Sequence, residues 1–64
     1  MFISCDTYDY DYEGIWKVGH ITFNSDLILY CNPIDSKIGC IHFSKDISFI
    51  VDIDVIEKLG VCNE

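Results

Sequence analysis

Residues 47–60 read Ile-Ser-Phe-Ile-Val-Asp-Ile-Asp-Val-Ile-Glu-Lys-Leu-Gly, and two local signals meet in them. Ile47, Phe49, Val51 and Ile53 alternate with Ser48, Asp52 and Asp54, the period of two that turns one apolar row to a core and one polar row to water. Only Ile50 breaks the alternation. At Asp54 the pattern changes: its carboxylate is placed to cap the free amides of a helical turn, and Glu57, three residues on, reaches back to the cap residue's own amide. Gly60 supplies the stop. The stretch predicts a strand feeding a one- or two-turn helix over residues 55–59, a structural signal that carries no chemistry.

Outward from it, apolar runs of strand length recur. Residues 1–7, with Phe2, Ile3 and Cys5, begin the chain as a strand. Residues 15–23 form the next and change phase: Trp16 and Val18 sit in one register, Ile21 and Phe23 in the other, with Gly19 between. A bulge at that glycine bends the strand and turns both pairs to one core. Asn24, Ser25 and Asp26 make a tight turn. Residues 27–31 read as an unbroken apolar strand, buried on both faces or carrying an interface on one. After a turn over residues 32–36, residues 38–43 continue as a strand in which Gly39 permits close backbone approach, and residues 44–46 turn into the organising strand. Residues 61–64 read as a loosely held tail. The sum is a mainly β chain (β-rich α+β): a five-stranded antiparallel meander, forming a curled sheet or small barrel, with one short C-terminal helix, in a single domain over residues 1–64.

A chain of 64 residues buries only about 60% of the surface that its unfolded form exposes. Half of its residues are hydrophobic. A domain of this size commonly draws part of its stability from disulfides, a metal or a partner, so the composition points to self-association as a homo-oligomer or to a protein partner. The net charge is −7, from eight Asp, three Glu and four Lys, with no Arg. That balance disfavours direct contact with nucleic acid or an anionic membrane surface, because a polyanion is repelled by another. A basic protein partner suits it, including the nucleic-acid-binding groove of another protein. Ala, Arg and Gln are absent while Ile and Asp abound, the mark of an AT-rich genome and compatible with a phage or other mobile element. Residues 1–12 lack the basic start and apolar run of a signal peptide, and nothing approaches a membrane span, so the expected location is cytoplasmic, the host cytoplasm for a phage protein, with reduced thiols.

The stretch 6–14 reads Asp-Thr-Tyr-Asp-Tyr-Asp-Tyr-Glu-Gly. Extended, it shows tyrosines on one side and acids on the other. Asp9, Asp11, Glu13 and Gly14 match the opening of a calcium loop, but its twelfth position, which needs a bidentate Glu, is His20. The ordinary reading is a solvated acidic loop. The functional one is a recognition surface, in which Tyr8, Tyr10, Tyr12 and Trp16 give stiff contact area while Asp6, Asp9, Asp11 and Glu13 stand in for phosphates. Residues 7–13 also resemble the Ala-Leu-Tyr-Asp-Tyr motif of SH3 domains. The resemblance stops there: Trp16 comes too early and Pro33 sits in a turn, so the groove elements of that family have no counterpart and no membership is assigned.

Cys5, Cys31, Cys40 and Cys62 with His20 and His42 are the residues from which a metal site or a nucleophile would be drawn. No two of these cysteines form the close pair typical of structural zinc, and burial in apolar strands raises a thiol's pKa, so buried reduced thiols are the ordinary reading. There is no phosphate-binding glycine loop and no serine elbow. The expectation is a non-enzyme without cofactor or metal: a small acidic inhibitor or adaptor that blocks a host protein. A structural homo-oligomer paired through residues 27–31 and a small-molecule or metal-binding module are the alternatives.

Overall fold

The computed structural model describes residues 1–60 as five antiparallel strands with one short helix after them: β1 (Phe2–Asp11), β2 (Gly14–Asn24), a 3₁₀ turn (Ser25–Leu27), β3 (Tyr30–Pro33), β4 (Ile38–His42), β5 (Ser48–Asp52) and α1 (Ile53–Leu59). The mainly β architecture and the terminal helix are as expected. Consecutive strands pair except β2 with β3, and β5 pairs back onto β1 through Tyr8 and Ile50, giving the order β2-β1-β5-β4-β3. That is the neighbour order of a five-stranded meander left open at one seam. The sheet therefore keeps two edges and does not close into a barrel. Residues 61–64, including Cys62 and the expected tail, lie outside the described residues.

The organising stretch forms a strand and helix, with the boundary shifted. Val51 is fully buried and Phe49 half-buried on the core side of β5, while Ile47 falls in the turn before it and is exposed. The helix starts earlier than its sequence predicts: its cap position is Asp52 rather than Asp54, and the Asp52 side chain makes no capping bond. That carboxylate instead accepts the Tyr8 hydroxyl at 3.3 Å. The Ile53 N–H donates to the Lys37 carbonyl at 2.9 Å, which fixes how the chain enters the helix. Asp54 and Lys58 lie in the first and last turns, each the favourable sign for the helix dipole. Gly60 closes the helix in the left-handed conformation, φ +66°, as a C-terminal stop requires.

The helix lies on the sheet over Gly39, where any Cβ would meet Ile56 Cδ1 and stand 3.0 Å from the Asn32 carbonyl oxygen. The absence of a side chain there lets Ile56 bury fully. Around it lie Cys5, Phe23, Cys31, Ile41 and Val51, flanked by Ile3, Ile21, Phe43, Phe49 and Leu59. Phe43 stands edge-on to both Phe23 (5.4 Å between centroids) and Phe49 (5.9 Å), the arrangement that aromatic quadrupoles favour.

Two local expectations are corrected. Residues 27–31 are not one strand: Leu27 ends the 3₁₀ turn, β3 begins only at Tyr30, and Leu27 and Leu29 are exposed. Asn24 Oδ1 accepts the Asp26 N–H at 3.0 Å, holding the turn that displaces the strand. The acidic stretch is not a loop, since β1 continues through Asp11; ten backbone positions of β1 pair with β2, and this cross-strand pairing overrides the low strand preference of Asp.

Candidate functional site: the β1–β2 hairpin

The tyrosine–acid stretch and Trp16 occupy one hairpin, closed by the two residues Tyr12 and Glu13 between the paired Asp11 and Gly14. The Asp11 carboxylate accepts the Glu13 N–H at 2.7 Å, an Asx turn that tightens the tip. The strands pair without interruption from Phe2 opposite Asn24 to Thr7 opposite Gly19; there the register slips, and Tyr8 lies opposite Lys17. Val18 is the extra residue. The bulge expected at Gly19 is thus present beside it.

The slip changes which residues share a face, because side chains alternate along each strand and paired residues stand side by side. In an unslipped hairpin Lys17 would face Asp9 and Trp16 would face Tyr10. With Val18 looped out, Asp9 lies opposite Trp16, Tyr10 opposite Ile15 and Tyr8 opposite Lys17. Trp16 is therefore brought round to the face of Ile21 and Phe23, as the phase change predicts. It stops beyond the end of the core, however, and remains 43% exposed, while Val18 is exposed at the bulge. The expectation that both would enter the core is corrected.

The eight residues singled out in the sequence separate into three groups. Asp6 is engaged locally: its Oδ1 accepts from His20 Nδ1 at 3.0 Å and lies 3.4 Å from Lys17 Nζ. The His20 hydrogen bond, reinforced by Lys17, holds the Asp6 carboxyl below its usual range. Tyr8 is half-buried and donates to Asp52; burial, with the nearby Asp52 and Asp6 charges, pushes its hydroxyl up, so it stays a proton donor. Asp9, Tyr10, Asp11, Tyr12, Glu13 and Trp16 are exposed around the tip, Tyr10 at 44% and Tyr12 at 97%. One oxygen of Asp9 accepts the Tyr10 N–H at 2.8 Å. Among the described residues no cation lies within ion-pair distance of Asp9, Asp11 or Glu13. As the alternation predicts, Tyr8 and Tyr10 project from one face of the hairpin and Asp9 and Asp11 from the other.

The thiols and imidazoles are dispersed. Cys40 and His42 share a strand face, but Cys31, paired with Ile41, points to the opposite side of the sheet. Among the described residues no group of three His, Cys, Asp or Glu is placed to hold a metal ion. Burial pushes the Cys5 thiol up, helped by the Asp52 and Asp6 charges, and burial does the same to Cys40 against a smaller opposing hydrogen bond from Ser48. His42 stacks on Tyr30, 4.2 Å between ring centroids and 10° from parallel, a pair across β3 and β4 that neither strand's own pattern announces. No helix of the described residues is long and apolar enough to cross a membrane. No protein-family model, curated protein or solved structure matches the chain.

Proposed function

We propose that this protein is a small acidic binding module, an inhibitor or adaptor that inserts the tip of its β1–β2 hairpin into a basic groove of a protein partner. The observation that carries this reading is the register slip at Val18. It takes Lys17 away from Asp9 and beside Tyr8, where the lysine reaches Asp6, and so leaves the tip carboxylates without a cation of their own. Carboxylates held in place by backbone amides and not neutralised within the molecule are suited to Lys and Arg of another protein. Exposed aromatics stand on both faces of the tip, Tyr10 on one and Trp16 on the other. A flat partner surface meets only one of those faces; a groove with two walls meets both. A groove that ordinarily receives nucleic acid supplies the required charge and width. The AT-rich composition is the sole ground for placing the gene on a phage or mobile element, and the binding reading does not depend on it.

The test is affinity capture from lysate on the immobilised protein at low and high salt, in the presence and absence of added duplex DNA. The expected result is one basic protein, lost at high salt and displaced by DNA. Neutralising the tip as Asp9→Asn, Asp11→Asn and Glu13→Gln together should abolish the capture, whereas capture that survives both high salt and this triple change overturns the reading.

A further inference from the structure

We infer that the base of the same hairpin is a self-association surface, on which a second copy of this chain seats Phe2 and Leu27 in an aromatic cleft and receives the same residues in return. The cleft has a volume of about 620 Å³ and is walled by Phe2, Thr22, Phe23, Leu27, Phe43 and Phe49. Phe23 forms its buried floor, and Phe2 and Leu27 stand at its rim, 72% and 65% exposed. This part of the molecule therefore carries both a hollow and two projecting apolar side chains. A two-fold dimer uses the same patch on both subunits, so a patch must supply its own complement, and knobs beside a hollow do so.

Charge selects the occupant. On a chain of net charge −7, none of the residues walling the cleft is ionisable. The nearby Asp26 carboxylate has the Met1 amino group 3.7 Å away, so the surroundings are locally balanced. A basic partner gains no attraction here. A second copy, repelled wherever carboxylates face each other, meets no such repulsion at a place walled by uncharged side chains. The area sets the strength: Phe2, Leu27 and the cleft mouth offer on the order of 500 Å² per copy, so a pair buries roughly 1,000 Å² in all, the lower end of specific interfaces. An interface of that size makes the dimer a reversible one. This inference is independent of the hairpin-tip reading, and the two respond to salt with opposite signs. Salt screens the repulsion between two like-charged copies and strengthens their pairing, while it weakens a contact between acid and base.

Sedimentation equilibrium of the purified protein over a range from about 10 to 500 µM, at low and high salt, tests it. The expected result is a monomer–dimer equilibrium that tightens with salt and is weakened at least tenfold by Leu27→Glu, with an unchanged circular dichroism spectrum because Leu27 is already in water. Phe2→Ser serves as a second variant with the same expectation, and Tyr12→Glu, at the tip, should leave the dimer intact. A monomer throughout the concentration range, or a dimer indifferent to both Leu27→Glu and Phe2→Ser, overturns the inference, as does a dimer lost with Tyr12→Glu.

Discussion

The two halves of the β1–β2 hairpin are built from the same two strands and differ in almost everything else. Toward its base, from Phe2 and Asn24 to Thr7 and Gly19, the pairing is regular and one face, with Ile3, Cys5, Ile21 and Phe23, supplies the core. Toward its tip, beyond the slip at Val18, exposed Tyr10 projects from one face and exposed Asp9, Asp11 and Trp16 from the other. The base is where the hairpin is held; the tip is where it has something to offer. One looped-out residue separates them: the register in which the core is specified ends before the exposed pattern begins.

The largest contrast is in stability. Phe23→Ala removes a buried ring and its edge-on contact with Phe43, and should cost about 3–5 kcal/mol. That is most of what a domain this small possesses, so urea denaturation should find the variant largely unfolded without denaturant. Tyr12→Ala, at a side chain wholly in water, should change the midpoint by less than about 0.5 kcal/mol. Comparable losses at the two positions would mean that the tip is also packed, and the separation of roles would fail.

The base was legible in the sequence and the tip only partly so, for a physical reason. Alternation of apolar residues reports burial, so Phe49, Val51, Ile21 and Phe23 announced their strands, and the phase change around Gly19 announced the bulge. Helix signals are local too, and Gly60 ended the helix where it was expected. The cap did not follow the local rule because Asp52 and Tyr8, far apart in the chain, take each other as partners. The stretch of residues 27–31 failed similarly: apolar content without alternation does not distinguish a strand from an exposed turn. At the site, the alternation of Tyr and Asp was readable, but the pairing of Asp6 with His20 and Lys17 depends on the register across two strands. That register, not the composition of the stretch, decides which acids remain available.

Next in size is the effect of the slip itself on binding. Trp16→Lys places opposite Asp9 the cation that the slip withholds from it. The tip then gains an internal ion pair and loses the aromatic residue from one face, and capture of the basic partner should weaken by about 2 kcal/mol, the scale of removing a buried interfacial Trp. Cross-strand nuclear Overhauser effects between residues 9 and 16 check that the register is kept. Neutralising one carboxylate at a time should do less: Asp9→Asn, at a residue with no internal cation, should weaken binding about tenfold and flatten its salt dependence. The same substitution at Asp6 should leave binding almost unchanged, because that carboxylate is already satisfied. Equal losses at positions 6 and 9 would remove the basis for assigning the two acids different roles.

The smallest expected effect separates those two acids by pH. The Asp6 carboxyl is held below its ordinary value, first by the His20 hydrogen bond and then by Lys17. A carboxyl whose pKa is lower in the folded than in the unfolded chain binds protons more readily when unfolded. Its contribution is therefore complete above the unfolded value, for which 3.8 is the ordinary figure, and fades as pH falls through that value and below the folded one. Thermal midpoints measured from about pH 5 down to about pH 2.5 should decline more steeply in the wild-type protein than in Asp6→Asn. Asp35, lowered by the backbone amides of Lys37 and Ile38, loses its contribution in the same direction, yet it is present in both proteins and cancels in the comparison. What remains is the coupling of Asp6 to its neighbours across the hairpin. Because Asp6 is close to solvent, water and salt screen that coupling, and the difference should shrink as salt is added. A difference that persisted undiminished at high salt would place Asp6 in a more enclosed setting than the open face of a hairpin.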